Sequence, residues 1–277
     1  MNKEILILLL SSHKYPSPRN EKAQSLTWIK DAEKHGINVI HFIGGYEKRS
    51  YDKPYLRLES GDSIEEVGYK TLEAFEWSLE NQKFEYIFRV NSSSYVDINN
   101  LIDFVNGVES DNLYAGHLIE LKMLDLKFVS GSGIIFNKNT IQKIVLNKDI
   151  WNHSVIDDVA LGQLCKQLEI APTAGRFSHV TKNVFSYKEI DSSYHFRCKL
   201  EDHGYPRFLE NTNIRNLAKV NNHEFVNPFY KGISIFTFEL IKLINLKFYL
   251  NKYIFRNRHL RNWLRKHKNN LLESFSN

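Results

Sequence analysis

Tyr86-Ile87-Phe88-Arg89-Val90-Asn91-Ser92-Ser93-Ser94 decides the fold. Its first five residues, rich in aromatic and β-branched side chains, read as a strand. The run stops abruptly in four small polar residues. Working upstream, Asn38–Ile43 is a second apolar run, closed by Gly44 and Gly45, and Ile5–Leu10 is a third. Amphipathic stretches separate them. One predicts a helix over 21–35, after a loop Ser11–Arg19 containing Pro16 and Pro18 and ended by Gly36. The other predicts a helix capped by Asp62 or Ser63, with Ile64, Val67, Leu72, Phe75 and Leu79 on one face. Strands that alternate with helices are joined by crossovers, so an α/β fold with a mostly parallel central sheet flanked by helices is expected. Ligands of such sheets bind beyond the carboxyl ends of the strands, which should turn Ser11–Arg19 and Asn91–Ser94 toward one cleft.

Downstream, Phe128–Phe136 reads as a strand broken by Gly131 and Gly133, positions where a ligand could approach the backbone. Helices are predicted over 140–146 and 157–168, the second opening with Asp157 and Asp158. With 277 residues, 42% hydrophobic and 25% charged, the chain is long and apolar enough for a real core, which excludes a disordered tail or a collagen-like chain. Two cysteines cannot make a disulfide framework, and a reducing compartment is expected. Ile5–Leu10 is too short for a secretory leader or a membrane span and reads as a buried strand.

Charge divides the chain. Residues 231–277 carry ten basic side chains against two acidic ones, leaving 1–230 mildly acidic. That argues against a nucleic-acid groove across the fold and for a C-terminal segment that meets an anionic surface. We therefore expect a domain over 1–230 and a basic amphipathic helical tail over 231–277. In the tail Ile235, Phe236, Phe238, Ile241, Ile244, Phe248 and Ile254 alternate with Glu239, Lys242, Lys247 and Lys252, which rules out a span. Arg256, Arg258, Arg261, Arg265, Lys266 and Lys268 surround Trp263 and Leu264, a composition suited to anionic headgroups. A helical pair packed on the domain, or an oligomer contact, is the competing reading.

Six ordered motifs resemble the beta-1,3-galactosyltransferase and Fringe-type glycosyltransferases. Leu8–Ser12 with Arg19 and Ser25-Leu26-Thr27-Trp28 is similar to the opening strand and helix of that family, and Phe42–Gly45 to its second strand. Asp62–Trp77, containing Lys70 and Thr71, resembles the helix before its metal-site strand. Phe88–Val96 stands where the family has Lys-x-Asp-Asp-Asp-x-Phe-Val. Val129–Ile135 resembles its Ser-Gly-Gly-Gly-Tyr strand, and Asp157-Asp158-Val159 with Gly162 its Glu-Asp-Val-x-x-Gly motif. The resemblance covers about residues 3–200. It implies a GT-A fold and inverting transfer of a hexose or N-acetylhexosamine from a nucleotide donor, UDP first, to a hydroxyl of a glycan or lipid-linked glycan. Surface polysaccharide synthesis at the inner face of the cell membrane, by a cytoplasmic peripheral enzyme, is the setting it suggests. One departure matters: Asn91, Ser92 and Ser93 replace the acidic triplet that would hold manganese or magnesium, and neutral oxygens are weak ligands for a hard cation. No resident metal is expected.

The charge on a departing diphosphate must then be met by cationic side chains. His195, Arg197 and Lys199 alternate, so a strand would aim them at one face, and Arg207 and Arg215 follow. We assign neutralisation to His195, Arg197, Lys199 and Arg207, against the alternative of a solvated strand edge. The family's ligating histidine matches His195, with His179 second. Asp158 is the expected general base, with adjacent Asp157 its rival; the plain alternative is that both serve the helix start. Ser11, Ser12, Arg19, Lys70, Arg89, Asn91, Ser92, Ser93, Ser130 and Gly131 are the expected donor contacts, although Lys70 reads by default as a solvated helical lysine, and Ser130 and Gly131 could simply pack the strand. Two non-enzymatic readings stand beside this one: a relative that binds sugar nucleotides or glycans without turnover, and a membrane scaffold whose tail is the working part.

Overall fold

The structure, a computed structural model, describes residues 3–256, with side chains described through residue 245. The tail residues Arg258, Arg261, Trp263, Leu264, Arg265, Lys266 and Lys268 lie outside the described residues. The side chains of Lys247, Phe248, Lys252, Ile254 and Arg256 do too. In chain order the strands are β1 (Ile5–Leu10), β2 (Asn38–Ile43), β3 (Ser50–Asp52), β4 (Tyr55–Arg57), β5 (Tyr86–Asn91), β6 (Ser94–Val96), β7 (Tyr114–Leu121), β8 (Leu126–Asn137), β9 (Thr173–Ala174), β10 (Phe177–His179) and β11 (His195–Arg197). The helices are α1 (Ser17–Ser25), α2 (Trp28–Lys34), α3 (Val67–Asn81), α4 (Ile98–Gly107), α5 (Lys138–Leu146), α6 (Asp157–Gln167), α7 (Glu210–Asn221) and α8 (Pro228–Arg256).

Eight strands make the central sheet, in the order β3-β4-β2-β1-β5-β8-β7-β9. β1 runs parallel to both β2 and β5, and β4 parallel to β2. β9 is parallel to β7, whereas β8 is antiparallel to β5 and to β7, and β3 to β4, so the sheet is mostly parallel with β3 and β8 reversed within it. The reason is connection length: β7 and β8 are joined only by residues 122–125, too few for a crossover. β8 is buried on both faces along most of its length, so its sequence carries no alternation that would have marked it as different. A second sheet, β10-β11-β6, lies beside the first.

Successive residues of the central strands feed two cores. Ile5, Ile7, Leu9, Phe88, Val90 and Ile135 face α1, α2, α4 and α7. Leu6, Leu8, Ile87, Ile134 and Phe136 face α3, α5 and α6. The helix expected over 21–35 begins earlier and is interrupted. Prolines 16 and 18 are tolerated in a first turn, where their missing N–H groups are not needed, so α1 starts at Ser17 and Arg19 is helical. At Thr27 the backbone leaves the helical region (φ −128°, ψ −112°), and its hydroxyl donates back to the Ala23 carbonyl at 2.8 Å. α3 starts at Val67, not after Asp62, and Ile64 is exposed.

The β8 glycines do admit a close approach, but by side chains of this protein. A Cβ on Gly133 would run into the His195 ring, and one on Gly131 would crowd Arg89, Asp157 and Asp158. Because His195 is enclosed between Phe88 and Phe177, its ring has little room to retreat. Gly133→Ala is expected to lower stability by about 1–3 kcal/mol in urea denaturation, the usual range for overpacking.

Candidate nucleotide cleft at the strand switch point

From β1 the chain crosses by α1 and α2 over one face to β2, then returns by α3 over the other face to β5 on the opposite side of β1. The gap between the carboxyl ends of β1 and β5 is thus a topological switch point. Leu10 pairs with Asn91 there, which brings the two following loops together. A cleft of about 520 Å³ opens between them, walled by Ser11, Ser12, Lys14, Asp62, Lys70, the Asn91–Ser93 turn and Arg207. The structure therefore gathers Ser11, Ser12, Lys70, Asn91, Ser92, Ser93 and Arg207. Arg19 is exposed on α1 and does not itself line the cleft, although its charge acts on Tyr15, which does.

Lys70 is buried, not solvated. Its Nζ donates to Asp62 Oδ1 at 2.9 Å and to the Ser11 carbonyl at 3.4 Å. Asp62 also accepts from Ser12 Oγ and the His13 amide, both at 2.8 Å. Burial works to raise its pKa, but these hydrogen bonds outweigh burial and hold the carboxyl below its usual range. Asp62 thus ties the loop after β1 to α3, where the sequence suggested a helix cap. Ser11 Oγ lies 3.3 Å from His41 Nδ1 behind the cleft wall.

The β5–β6 turn is similarly committed. Asn91 Oδ1 accepts from the Ser93 amide (3.1 Å) and from Ser94 Oγ (3.0 Å), a local bond that shapes the turn. Ser93 Oγ donates to Glu210 Oε2 at 2.8 Å and accepts from Arg207 Nη2 at 2.9 Å. Glu210, wholly buried, also accepts from Asn20 Nδ2 (2.7 Å) and Arg207 Nε (2.9 Å). These side chains do not suit a divalent cation. The oxygens of Asn91, Ser92 and Ser93 are neutral, those of Asn91 and Ser93 are already engaged, and the Glu210 carboxylate is taken up by Asn20, Ser93 and Arg207. Among the described residues no group of three or more His, Cys, Asp or Glu is placed to hold one.

The alternating cations separate. β11 pairs antiparallel with β6, placing Arg197 opposite Ser94, and the Cys198 amide donates to the Ser93 carbonyl at 2.7 Å. Arg197 is half-buried, and among the described residues its guanidinium has no hydrogen-bond or ion-pair partner. Burial lowers its pKa, opposed by the carboxylates of Asp202, Asp158 and Glu210; a guanidinium stays charged throughout. Lys199 turns to Asp202 at 3.3 Å. His195 contributes no positive charge to the cleft: it is fully enclosed, bonded through Nε2 to Ser94 Oγ at 2.9 Å, and burial pushes its pKa down to about 3. As pH falls below 6.5 the unfolded chain protonates this ring and the folded chain does not, so stability is lost steadily down to about pH 3. At pH 5 this ring alone costs about 2 kcal/mol. Measured denaturation midpoints should decline over that range, and His195→Gln should flatten the decline.

Asp157 and Asp158 open α6, but neither caps it, since the cap position is Ile156. Asp157 Oδ2 accepts from Arg89 Nη2 at 2.7 Å, and Arg89 Nη1 donates to the Gly131 carbonyl at 2.9 Å. Asp158 Oδ2 accepts from the Gly131 amide at 2.9 Å. Arg89 is therefore buried in a bracket joining β5, β8 and α6, apart from the cleft wall, and Ser130 is likewise buried in β8. Three buried polar atoms of the bracket's strands and helix have no partner among the described residues: Asp158 Oδ1, Arg89 Nε and Ser132 Oγ. Burial, seconded by the Asp157 charge, raises the pKa of Asp158 against the Gly131 bond that lowers it.

Glu210 carries no sequence signal beyond its i,i+3 spacing from Arg207, and the partnership of Asp62 with Lys70 none beyond the presence of both residues before and within one helix.

No family model matches the chain, and no curated protein does. Among solved structures, it superposes on a glycosyltransferase involved in glycosylation of the major capsid of PBCV-1 with a TM-score of 0.47 and 13% identity, over 77% of this chain and 99% of that one. It superposes on the galactosyltransferase LgtC, in complex with donor and acceptor sugar analogues, with a TM-score of 0.48 and 10% identity, over 82% and 99%. At these values neither likeness carries an argument about activity.

Proposed function

We propose that this chain is an inverting glycosyltransferase of GT-A type that takes its sugar from a nucleoside diphosphate donor, UDP first, without a bridging metal. The observation that carries the reading is the cleft at the β1–β5 switch point, with Arg207 on its wall beside the Asn91–Ser93 turn. We assign the positive charge that a leaving diphosphate requires to Arg207, which is on the cleft wall although paired with Glu210, and to Arg197, which lies opposite Ser94 without a partner among the described residues but does not itself line the cleft. Lys70 and Asp62 hold the loop after β1 in place. Asp158, which sits beside Gly131 rather than on the cleft wall and whose charge acts on Arg197, is assigned the proton. The acceptor oxygen forms its bond to the anomeric carbon as the bond from that carbon to the donor phosphate oxygen breaks, the electron pair leaving on the diphosphate. A single carboxylate on the acceptor side is enough for that displacement. The acceptor is a hydroxyl of a glycan or lipid-linked glycan, at the inner face of the cell membrane.

Thermal shift with UDP, GDP and ADP, each in excess chelator and in manganese, tests this. UDP is expected to raise the melting temperature in chelator, and Arg197→Ala is expected to reduce that rise. No nucleotide response, or one that chelator abolishes, overturns it. The engagement of the Asn91 and Ser93 oxygens in structural bonds favours a second reading, a binder of sugar nucleotides without turnover. Hydrolysis of the donor separates the two.

A further inference from the structure

α8 is apolar on two opposite faces. Toward the domain it buries Phe238, 1% exposed, with Ile241 against Leu200, Tyr205 and Leu209. Polar bonds lock that orientation: Tyr205 donates to Glu239 Oε1 at 2.7 Å, Asn183 Nδ2 to Ser234 Oγ at 2.9 Å, and Asn245 Nδ2 to the Gly204 carbonyl at 3.0 Å. On the other side Phe229, Ile233, Phe236, Leu240, Leu243 and Ile244 recur every three or four residues, so they form one stripe about 22 Å long. Each is between 45% and 76% exposed. Single exposed apolar residues are ordinary; a contiguous stripe of six large ones marks an interaction surface.

What adjoins it selects the partner. Residues 246–277 carry eight Lys and Arg against one Glu. A second copy of the chain would cover the stripe but carries the same positive net charge, +5. An anionic lipid surface supplies both an apolar layer and the opposite charge. Among the described residues no helix is long and apolar enough to cross a membrane, and the domain contacts of Phe238 and Ile241 leave only one face of α8 available.

We propose that the Phe229–Ile244 stripe lies in the interfacial layer of an anionic bilayer, with the basic residues that follow it meeting the headgroups. This inference is independent of the reaction assigned to the cleft. The test is sedimentation of the full chain with phosphatidylglycerol-containing vesicles and with pure phosphatidylcholine vesicles, at low and high salt. Pelleting with the anionic vesicles that high salt weakens is the expected result. Phe236→Glu with Leu240→Glu should reduce it at least ~10-fold, with the melting temperature and the UDP-induced shift unchanged, since both side chains point away from the domain. Equal pelleting with neutral vesicles, or wild-type pelleting by the double variant, overturns the proposal. So does a soluble dimer that the double variant converts to monomer, which assigns the stripe to a second copy. A fall in melting temperature with unchanged pelleting assigns it to the chain's own C-terminal segment and overturns the proposal as well.

Discussion

Asp158→Asn is expected to slow sugar transfer by about 10²–10⁴-fold, the range for loss of a general base, while the protein melts near its wild-type temperature. The asparagine keeps an oxygen for the Gly131 amide, so the bracket between α6 and β8 survives and only the ability to accept a proton is lost. The pH profile is a second readout. A base must be deprotonated to act, and because burial raises the Asp158 pKa, activity should fade on acidification at a higher pH than an ordinary aspartate would impose. Asp157→Asn should behave differently. Asp157 is paired with the buried Arg89 at 2.7 Å, so its loss should appear mainly as lowered stability. Wild-type turnover in the Asp158 variant removes it from the mechanism, and a larger rate loss in the Asp157 variant transfers the role.

Glu210→Ala should cost about 3–5 kcal/mol in denaturant unfolding, the magnitude for breaking a buried charged network on one side. Three elements converge on this carboxylate: Asn20 from α1, Ser93 from the turn after β5, and Arg207 from the turn before α7. Alanine would leave Asn20 Nδ2, Ser93 Oγ and Arg207 Nε without their acceptor, with Arg207 held only through Nη2 to Ser93 Oγ and its charge uncompensated. Glu210→Gln keeps one acceptor oxygen and should lose less. The surface pair of Lys83 with Glu4 is shorter, at 2.6 Å, yet removing it should change little, because water screens both partners. If Glu210→Ala were no more disruptive than removing that pair, the cleft wall would not depend on the network described.

Local chemistry made part of this legible. β1, β2 and β5 stand where their apolar runs lie, and α6 starts at Asp157. The cleft between the loops after β1 and β5 follows from strand order alone, and Arg207 was a named cation. Other residues misled. Lys70 looked like a solvated lysine because helical spacing does not reveal that Asp62 lies 2.9 Å away. His195, Arg197 and Lys199 share an alternation, yet one is enclosed and neutral, one has no partner among the described residues and one turns to Asp202.

Sequence by itself determined what depends on neighbours along the chain: which runs are strands, where most helices lie, and that the tail is basic. Tertiary structure alone decided the direction of β8, the partners of the buried charges and the solvent-facing stripe of α8. The physical reason is separation. Hydrophobic period and capping act over a few residues, whereas Ser93 meets Glu210 from 117 residues away and Asn20 meets it from 190. Which donor satisfies a buried acceptor is settled only when the packed layers bring them within hydrogen-bond reach.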